Sequence, residues 1–166
     1  MLAYEFTSMT TADPFSHLDE TGRAKMVDVS EKEVSRRVAE ASCRIELSES
    51  TVARLAELPK GDAYVVSKLA GVQGAKRTAD LIPLAHPLNL EQIDVELSPV
   101  SGGVEIRSRV VVNARTGAEM EALVACSTAA LALYDMVKAV ERDATITDIR
   151  LDRKTGGSRG EFRRKE

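Results

Sequence analysis

The chain has 166 residues, of which 43% are hydrophobic and 30% are charged, and its formal net charge is -3 at pH 7. This length fits one domain with a substantial core, and the charge balance excludes an overall basic surface for nucleic acid. Three phenylalanines and three tyrosines, without any tryptophan, offer few rings on which unpaired bases could stack. The composition therefore predicts a globular protein that does not bind nucleic acid.

Residues 1–25 are predicted to be a polar, mobile leader, and residues 26–166 a single domain with a glycine-rich basic tail. The leader, which contains His17, lacks the basic start and apolar run of a secretion signal, and no eighteen apolar residues follow one another. We therefore expect a cytoplasmic protein without a membrane segment. Cys43 and Cys126 form no CxxC pair, so both are predicted to be reduced thiols, with Cys126 packed on a helix face.

Short alternating segments open the predicted domain. Residues 26–32 and 43–47 alternate apolar and polar side chains, as strands or extended segments do. Ser48 or Ser50 is placed to cap a helix over residues 49–58, which a Pro-Lys-Gly sequence then interrupts.

A second helix is predicted over residues 62–78, with an apolar stripe along one side. Gly71 and Gly74 within this helix indicate that another backbone approaches closely. The stripe consists of Val65, Val66, Leu69, Ala70 and Gln73.

The second half of the chain has a clearer pattern. Residues 89–98 and 104–112 alternate as strands, and the Ser-Gly-Gly sequence at 101–103 joins them in a predicted hairpin. The longest helix is predicted over residues 118–142, and a last strand over residues 145–151. The stripe of this helix consists of Met120, Leu123, Val124, Leu131, Tyr134 and Val137.

The predicted order is strand, helix, strand, strand, helix, strand. This order predicts an α+β protein with a ferredoxin-like fold, in which an antiparallel four-stranded sheet carries the helices on one face. The other face of such a sheet is uncovered, so we expect the protein to pair with another subunit.

Cationic side chains beside turns are candidates for binding phosphates. Lys60, Lys76, Arg37 and Lys154 can converge on phosphates, whereas Arg77 is expected to be a partner for a helix C-terminus. The tail sequence KTGGSRG either wraps an anion with its backbone N–H groups or is a solvated mobile segment.

Further candidates are a histidine and several carboxylates. In the stretch DLIPLAHPL, His86 is either a core histidine or a ring that the two prolines aim at a substrate. Glu119 and Glu121 stand where a helix dipole favours carboxylates, and they project together only if that segment is extended. Asp135 and Lys138 share a helix face, either as a surface ion pair or as a functional pair.

These pieces occur in the order KGD, AGVQGAKRTADLIPLAHPL, RTGAEMEAL, AALALYDMVKAV and KTGGSRGEF. That order closely resembles the cyclic pyranopterin monophosphate synthase family, the second-step enzymes of molybdenum cofactor biosynthesis, over roughly Met26 to Phe162. The departures are small. Ala85 stands where a cysteine is common, Asn89 replaces a bulkier apolar residue, and Ala118 stands where valine is usual.

The resemblance implies a lyase that converts 3′,8-cyclo-7,8-dihydro-GTP to cyclic pyranopterin monophosphate and releases pyrophosphate. The positions that match catalytic ones are Lys60, His86, Asp135 and Lys138. The positions that match substrate-binding ones are Arg37, Lys76, Leu84, Ala85, His86, Glu119, Met120, Glu121 and Lys154.

For individual roles, we expect Asp135 to act as a general acid or base, with Lys138 assisting the proton transfer. His86 and the lysines would hold phosphates, and a glutamate would accept the N–H groups of the guanine-like edge. We expect His86 to lie near Asp135 and Lys138.

The resemblance also implies a homohexamer, a trimer of dimers, whose sites lie at dimer interfaces and draw on two chains. The sequence shows no cluster of metal-ligating residues and requires no cofactor, although Mg²⁺ can accompany substrate phosphates. Two alternative functions are compatible with the sequence. The first is a ferredoxin-like regulatory module that binds a nucleotide without turnover, and the second is an inactive structural subunit.

Overall fold

The computed structural model describes residues 21–158 and 160–165. Most of the predicted leader, His17 included, lies outside the described residues. In the described part of the chain one sheet is formed by β1 (Ser35–Glu46), β2 (Leu90–Val100), β3 (Gly103–Ala114), β4 (Thr145–Thr155) and β5 (Phe162–Arg163). The helices are α1 (Glu49–Val52), α2 (Ala63–Lys76), α3 (Thr78–Leu81) and α4 (Glu119–Val137), with a 3-10 turn at Leu55–Glu57.

The strands lie in the order β2-β3-β1-β4-β5, and every neighbouring pair is antiparallel. With α2 and α4 packed on one face, this arrangement confirms the predicted α+β, ferredoxin-like fold. The sheet has five strands rather than four because the tail turns back along β4. Arg164 donates its backbone N–H to the Asp152 carbonyl at 2.8 Å and its Nε–H to the Leu151 carbonyl at 2.9 Å. A strand of two residues carries no alternating pattern that a sequence could reveal.

The first strand begins later than the sequence predicts. Residues 26–32 form no strand, and β1 instead runs from Ser35 to Glu46, so that it contains Arg37. The predicted helix over 49–58 is also interrupted, since only α1 and the 3-10 turn form there. Of the two candidate caps Ser48 is the one used, because its Oγ accepts the Thr51 N–H at 3.3 Å.

Helix α2 buries the opposite face from the predicted stripe. Val65 and Leu69 are 53% and 60% exposed, whereas Gly71 and Gly74 are buried against α4. A Cβ at Gly71 would stand 2.9 Å from the Ala125 carbonyl oxygen. The periodicity identified the helix correctly but not its buried face, because glycine and alanine contribute little to an apolar stripe.

Helix α4 runs along the sheet and packs on β1, β3 and α2. The predicted stripe is wrong at Leu131, which is 60% exposed, and at Met120, which lies at the surface. Although α4 is long and apolar enough to span a membrane, its small side chains fill the core as in the central helix of a globular protein. Its buried residues are Glu121, Ala122, Val124, Ala125, Cys126, Ala129, Ala130, Leu133, Met136 and Val137.

The two cysteines are buried, reduced thiols that link α4 to the sheet. Cys126 donates its S–H toward the Ala41 carbonyl at 3.2 Å and lies 3.1 Å from the Ser108 hydroxyl, which itself donates to the Ala122 carbonyl at 2.7 Å. Cys43 donates toward the Cys126 carbonyl at 3.4 Å. Every hydroxyl and thiol in this small network therefore has a partner, as burial requires.

The sheet face opposite the helices carries paired charges. Arg109 lies 3.4 Å from Glu40 and 3.8 Å from Asp94, and Arg107 lies 2.9 Å from Glu105. The sequence led us to expect a partner subunit on this face, yet burying it would remove these charges from water at a cost. The helical layer also presents exposed apolar side chains, at Val65, Val66, Leu69 and Leu131.

Gly71→Val is expected to lower the free energy of unfolding by about 2 kcal/mol, because a branched side chain there must push α2 away from α4. Urea unfolding followed by circular dichroism, at one fixed protein concentration, measures this change. The matched control is Gln73→Val, which places the same side chain on the exposed face of the same helix. Equal midpoints for the two variants would contradict the close packing.

Candidate active site

A cavity of about 330 Å³ opens at one end of the sheet. Its walls come from the loop before β2, the first turn of α4, the end of β4 and the segment that precedes β1. Eight of the residues predicted to bind substrate line this cavity: Arg37, Leu84, Ala85, His86, Glu119, Met120, Glu121 and Lys154.

A turn stabilised by proline positions the histidine. The Ala85 N–H donates to the Ile82 carbonyl at 3.0 Å, and Pro83 occupies the second position of this turn, where its fixed φ is favourable. His86 is half-buried and lines the cavity, with Pro87 after it. The structure therefore places the ring at the cavity wall rather than in the core.

The first turn of α4 presents two carboxylates in different surroundings. Glu119 forms an ion pair with Lys154 at 3.2 Å, while Glu121 is only 4% exposed. Burial, together with the nearby charge of Glu119, raises the pKa of Glu121 to about 7. Contrary to the expectation that these two side chains project together only from an extended segment, both line the cavity from a helix that begins at Glu119.

Arg37 joins β1 to the end of β3. Its Nε–H donates to the Ala114 carbonyl at 3.0 Å, and its Nη2 donates to the Arg115 carbonyl at 2.9 Å. Gly156 and Gly157, at φ values of 88° and 81°, pass directly over this side chain, and a Cβ on either would overlap it or its strand. The glycine-rich tail is thus part of the cavity wall, and glycine is required there by both its backbone conformation and its contact.

Lys60, Asp135 and Lys138 form a separate group, here called the lysine–aspartate cluster. Lys138 Nζ lies 2.5 Å from Asp135 Oδ1, and Lys60 Nζ lies 3.7 Å from Oδ2 and donates to the Asp135 carbonyl at 3.1 Å. Hydrogen bonding and charge from Lys138, followed by the charge of Lys60, lower the pKa of Asp135. This exposed carboxylate is therefore ionised and holds two ammonium groups side by side.

The cavity and the lysine–aspartate cluster are far apart within one chain. Glu119 and Asp135 stand sixteen positions apart on α4, which corresponds to about 24 Å at the rise of an α-helix. Within the chain His86 lies at the cavity and not beside Asp135 and Lys138, so the expectation that these three residues lie close together is wrong for a single chain. Lys76 is exposed at the end of α2 and does not line the cavity.

The structure adds cavity residues that sequence reasoning missed. Lys32 and Arg115 contribute two more cations, and Val27 and Val29 contribute apolar wall. The alternation in residues 26–32 was the available signal, and it reflects contact with the cavity rather than a strand. Within residues 21–158 and 160–165, no group of three or more His, Cys, Asp and Glu side chains is placed to hold a metal ion.

The fold and these groups define a ferredoxin-like α+β protein with a charged pocket for a small molecule. The chain belongs to the MoaC family, whose model matches residues 26–157.

Several curated relatives are similar over nearly their whole length and carry the name cyclic pyranopterin monophosphate synthase. The protein from Streptomyces griseus is 49% identical over 95% of this chain and 90% of its own. The protein from Parvibaculum lavamentivorans is 51% identical over 93% of this chain and 99% of its own. The protein from Cereibacter sphaeroides is 52% identical over 89% of this chain and 95% of its own.

Glu121→Gln is expected to remove a pH dependence of stability. The pKa of about 7 in the folded protein exceeds the ordinary 4.5, so the stability contributed by this carboxyl is fully present below pH 4.5 and is lost as the pH rises through 7. Relative to the variant, the wild type should lose up to about 3 kcal/mol between about pH 4.5 and 7.5.

Urea unfolding of both proteins at the two pH values measures this difference. Glu119→Gln separates the two causes, because it removes the nearby charge and leaves Glu121 buried; since burial is the larger cause, most of the pH dependence should remain in this variant. A constant difference between the wild type and Glu121→Gln would show that burial does not hold the proton on this group.

Proposed function

We propose that this protein is a cyclic pyranopterin monophosphate synthase. It would convert 3′,8-cyclo-7,8-dihydro-GTP to cyclic pyranopterin monophosphate and pyrophosphate, as a phosphorus–oxygen lyase in molybdenum cofactor biosynthesis. The main support for this proposal is that eight of the predicted substrate-binding residues line one cavity in a chain that belongs to this family.

The chemistry of the cavity suits a guanine-derived triphosphate. Glu119 and Glu121 offer carboxylate oxygens for the N–H groups of a guanine-like edge, while Arg37, Lys154 and the His86 ring offer donors for phosphate oxygens. Leu84, Ala85 and Met120 add apolar contact. A volume of about 330 Å³ lies at the lower end of the range for small-molecule sites, which fits a pocket completed by further groups.

The lysine–aspartate cluster supplies the remaining groups that the reaction needs. Closing the cyclic phosphate requires a hydroxyl of the substrate to attack the α-phosphorus, lose its proton and displace pyrophosphate. Asp135, which is ionised, is proposed to accept or return protons, and Lys138 beside it to assist this transfer. Lys60 would neutralise charge that develops on the leaving pyrophosphate.

Because about 24 Å separates the two groups along α4, we propose that each complete site combines the cavity of one subunit with the lysine–aspartate cluster of another. A homohexamer built as a trimer of dimers provides such interfaces. Val65, Leu69 and Leu131, exposed on the helical layer, are apolar surface that such an assembly would bury. Lys76, exposed on the same layer at the end of α2, is proposed to reach the substrate from such an interface.

The proposal includes no cofactor, and Mg²⁺ enters only as an ion carried by the substrate phosphates. The proposed compartment is the cytoplasm, and no membrane or nucleic acid takes part. Incubation with 3′,8-cyclo-7,8-dihydro-GTP, with measurement of pyrophosphate and cyclic product, tests the function. Tight binding without release of pyrophosphate would instead identify a nucleotide-binding regulatory module.

Lys138→Ala is expected to abolish turnover and to leave the fold intact, because Lys138 is half-exposed and its loss removes one partner of a surface carboxylate. Release of pyrophosphate measures turnover, and thermal unfolding checks the fold. Lys165→Ala, in the exposed tail after β5, is the matched control and should retain activity. Product formation at a near-normal rate by Lys138→Ala would remove the lysine–aspartate cluster from the mechanism.

Two inactive variants are expected to restore activity when their subunits are mixed. Lys154→Ala damages the cavity and Lys138→Ala damages the lysine–aspartate cluster. If each site combines these parts from different chains, random assembly leaves about one quarter of the sites intact. The two variants are co-expressed, and the activity of the mixed assembly is compared with that of each variant alone. No gain over the single variants would mean that one chain supplies both parts.

A further inference from the structure

The segment of residues 26–32, here called the strap, lies against the cavity and forms no helix or strand. Its own hydrogen bonds are local, since Ser30 N–H donates to Asp28 Oδ1 at 2.9 Å and Lys32 N–H donates to the Val29 carbonyl at 3.1 Å. Val29 and Lys32 nevertheless line the cavity. A segment with so few internal contacts needs a tether to keep this position.

Arg115 provides such a tether. Its Nε–H donates to the Lys32 carbonyl at 3.0 Å, across 83 positions in the sequence. The Arg115 carbonyl in turn accepts a hydrogen bond from Arg37 Nη2 at 2.9 Å, and Gly157 passes over the Arg37 guanidinium. A continuous set of contacts therefore runs from the glycine-rich tail, through the end of β3, to the strap.

We propose that Arg115 is a positioning residue, which holds the strap against the cavity so that the Lys32 ammonium binds the phosphate chain of the substrate. This inference rests on the proposed function. It assigns the strap and Arg115 to substrate affinity rather than to the bond-making steps, because both line the cavity, away from the lysine–aspartate cluster.

The charges in the cavity support this role for Lys32. Lys154 forms an ion pair with Glu119, and Arg37 donates hydrogen bonds to two backbone carbonyls. Among the described residues, neither Lys32 nor Arg115 forms an ion pair with a carboxylate, and Arg115 uses its Nε–H on the Lys32 carbonyl, whereas the Lys32 side chain has no such bond. A triphosphate carries several negative charges, so a cation that is not already neutralised by the protein is the one most available to it.

The experiment compares four variants with the wild-type enzyme: Arg115→Met, Lys32→Met, the double variant, and Arg107→Met. The last is the matched control, because Arg107 is an exposed arginine of β3, the strand that precedes Arg115, and pairs with Glu105 on the sheet face opposite the helices. Steady-state release of pyrophosphate gives kcat and KM, and hydrogen exchange of the peptide that covers residues 26–32 reports on the strap.

Arg115→Met is expected to speed exchange in the strap and to raise KM about tenfold, with kcat within about twofold of the wild type. Lys32→Met should raise KM similarly without changing exchange, since its carbonyl still accepts the hydrogen bond. Because Arg115 acts through Lys32, the double variant should have the KM of Arg115→Met alone. Arg107→Met should match the wild type.

Unchanged exchange in Arg115→Met would overturn the tether, and effects on KM that multiply in the double variant would overturn the positioning role. If Arg115→Met fails to fold, Arg115→Lys takes its place, because it keeps the charge but loses the Nε donor. A wild-type enzyme that releases no pyrophosphate refutes the proposed function instead. In that case strap exchange alone still supports or overturns the tether.

Discussion

Close packing of α4 against β1, β3 and α2 is the constraint on which the rest of the protein depends. Ala125 and Thr128 on α4 face Gly71 and Gly74 on α2, and Cys126 faces the sheet, so the layers approach at distances that larger side chains would prevent. Because α4 is packed along the sheet, its first turn lies at one end of the molecule and its last turn lies at the other. The separation of the cavity from the lysine–aspartate cluster follows directly from this packing.

The two ends of α4 also give their carboxyl groups opposite properties. Burial raises the pKa of Glu121 to about 7, whereas two ammonium groups lower the pKa of Asp135. One carboxyl can therefore carry a proton near neutral pH, while the other stays ionised. Groups whose surroundings push their pKa values apart are suited to different steps of one proton-transfer sequence.

The sequence predicted much of the fold, because strands β2, β3 and β4 alternate clearly and helix breakers bound α2. It predicted the wrong buried face for α2, since that face is made of glycine, alanine and serine, which give little contrast in hydropathy. The cavity residues were found through their motifs. Arg115 was missed because its contact is with the backbone carbonyl of Lys32, which any residue could supply. The division of the site between two ends of a helix becomes visible only in three dimensions.

The buried thiols can report on the separation of α4 from the sheet. Cys43 and Cys126 are at most 1% exposed, and the neighbouring Cys126 thiol together with burial raises the pKa of Cys43, so its reactive thiolate is disfavoured in the folded state. A thiol reagent can reach either sulfur only when α4 lifts from the sheet. The rate of labelling in native buffer therefore measures how often the central layer of the molecule separates, without any introduced probe.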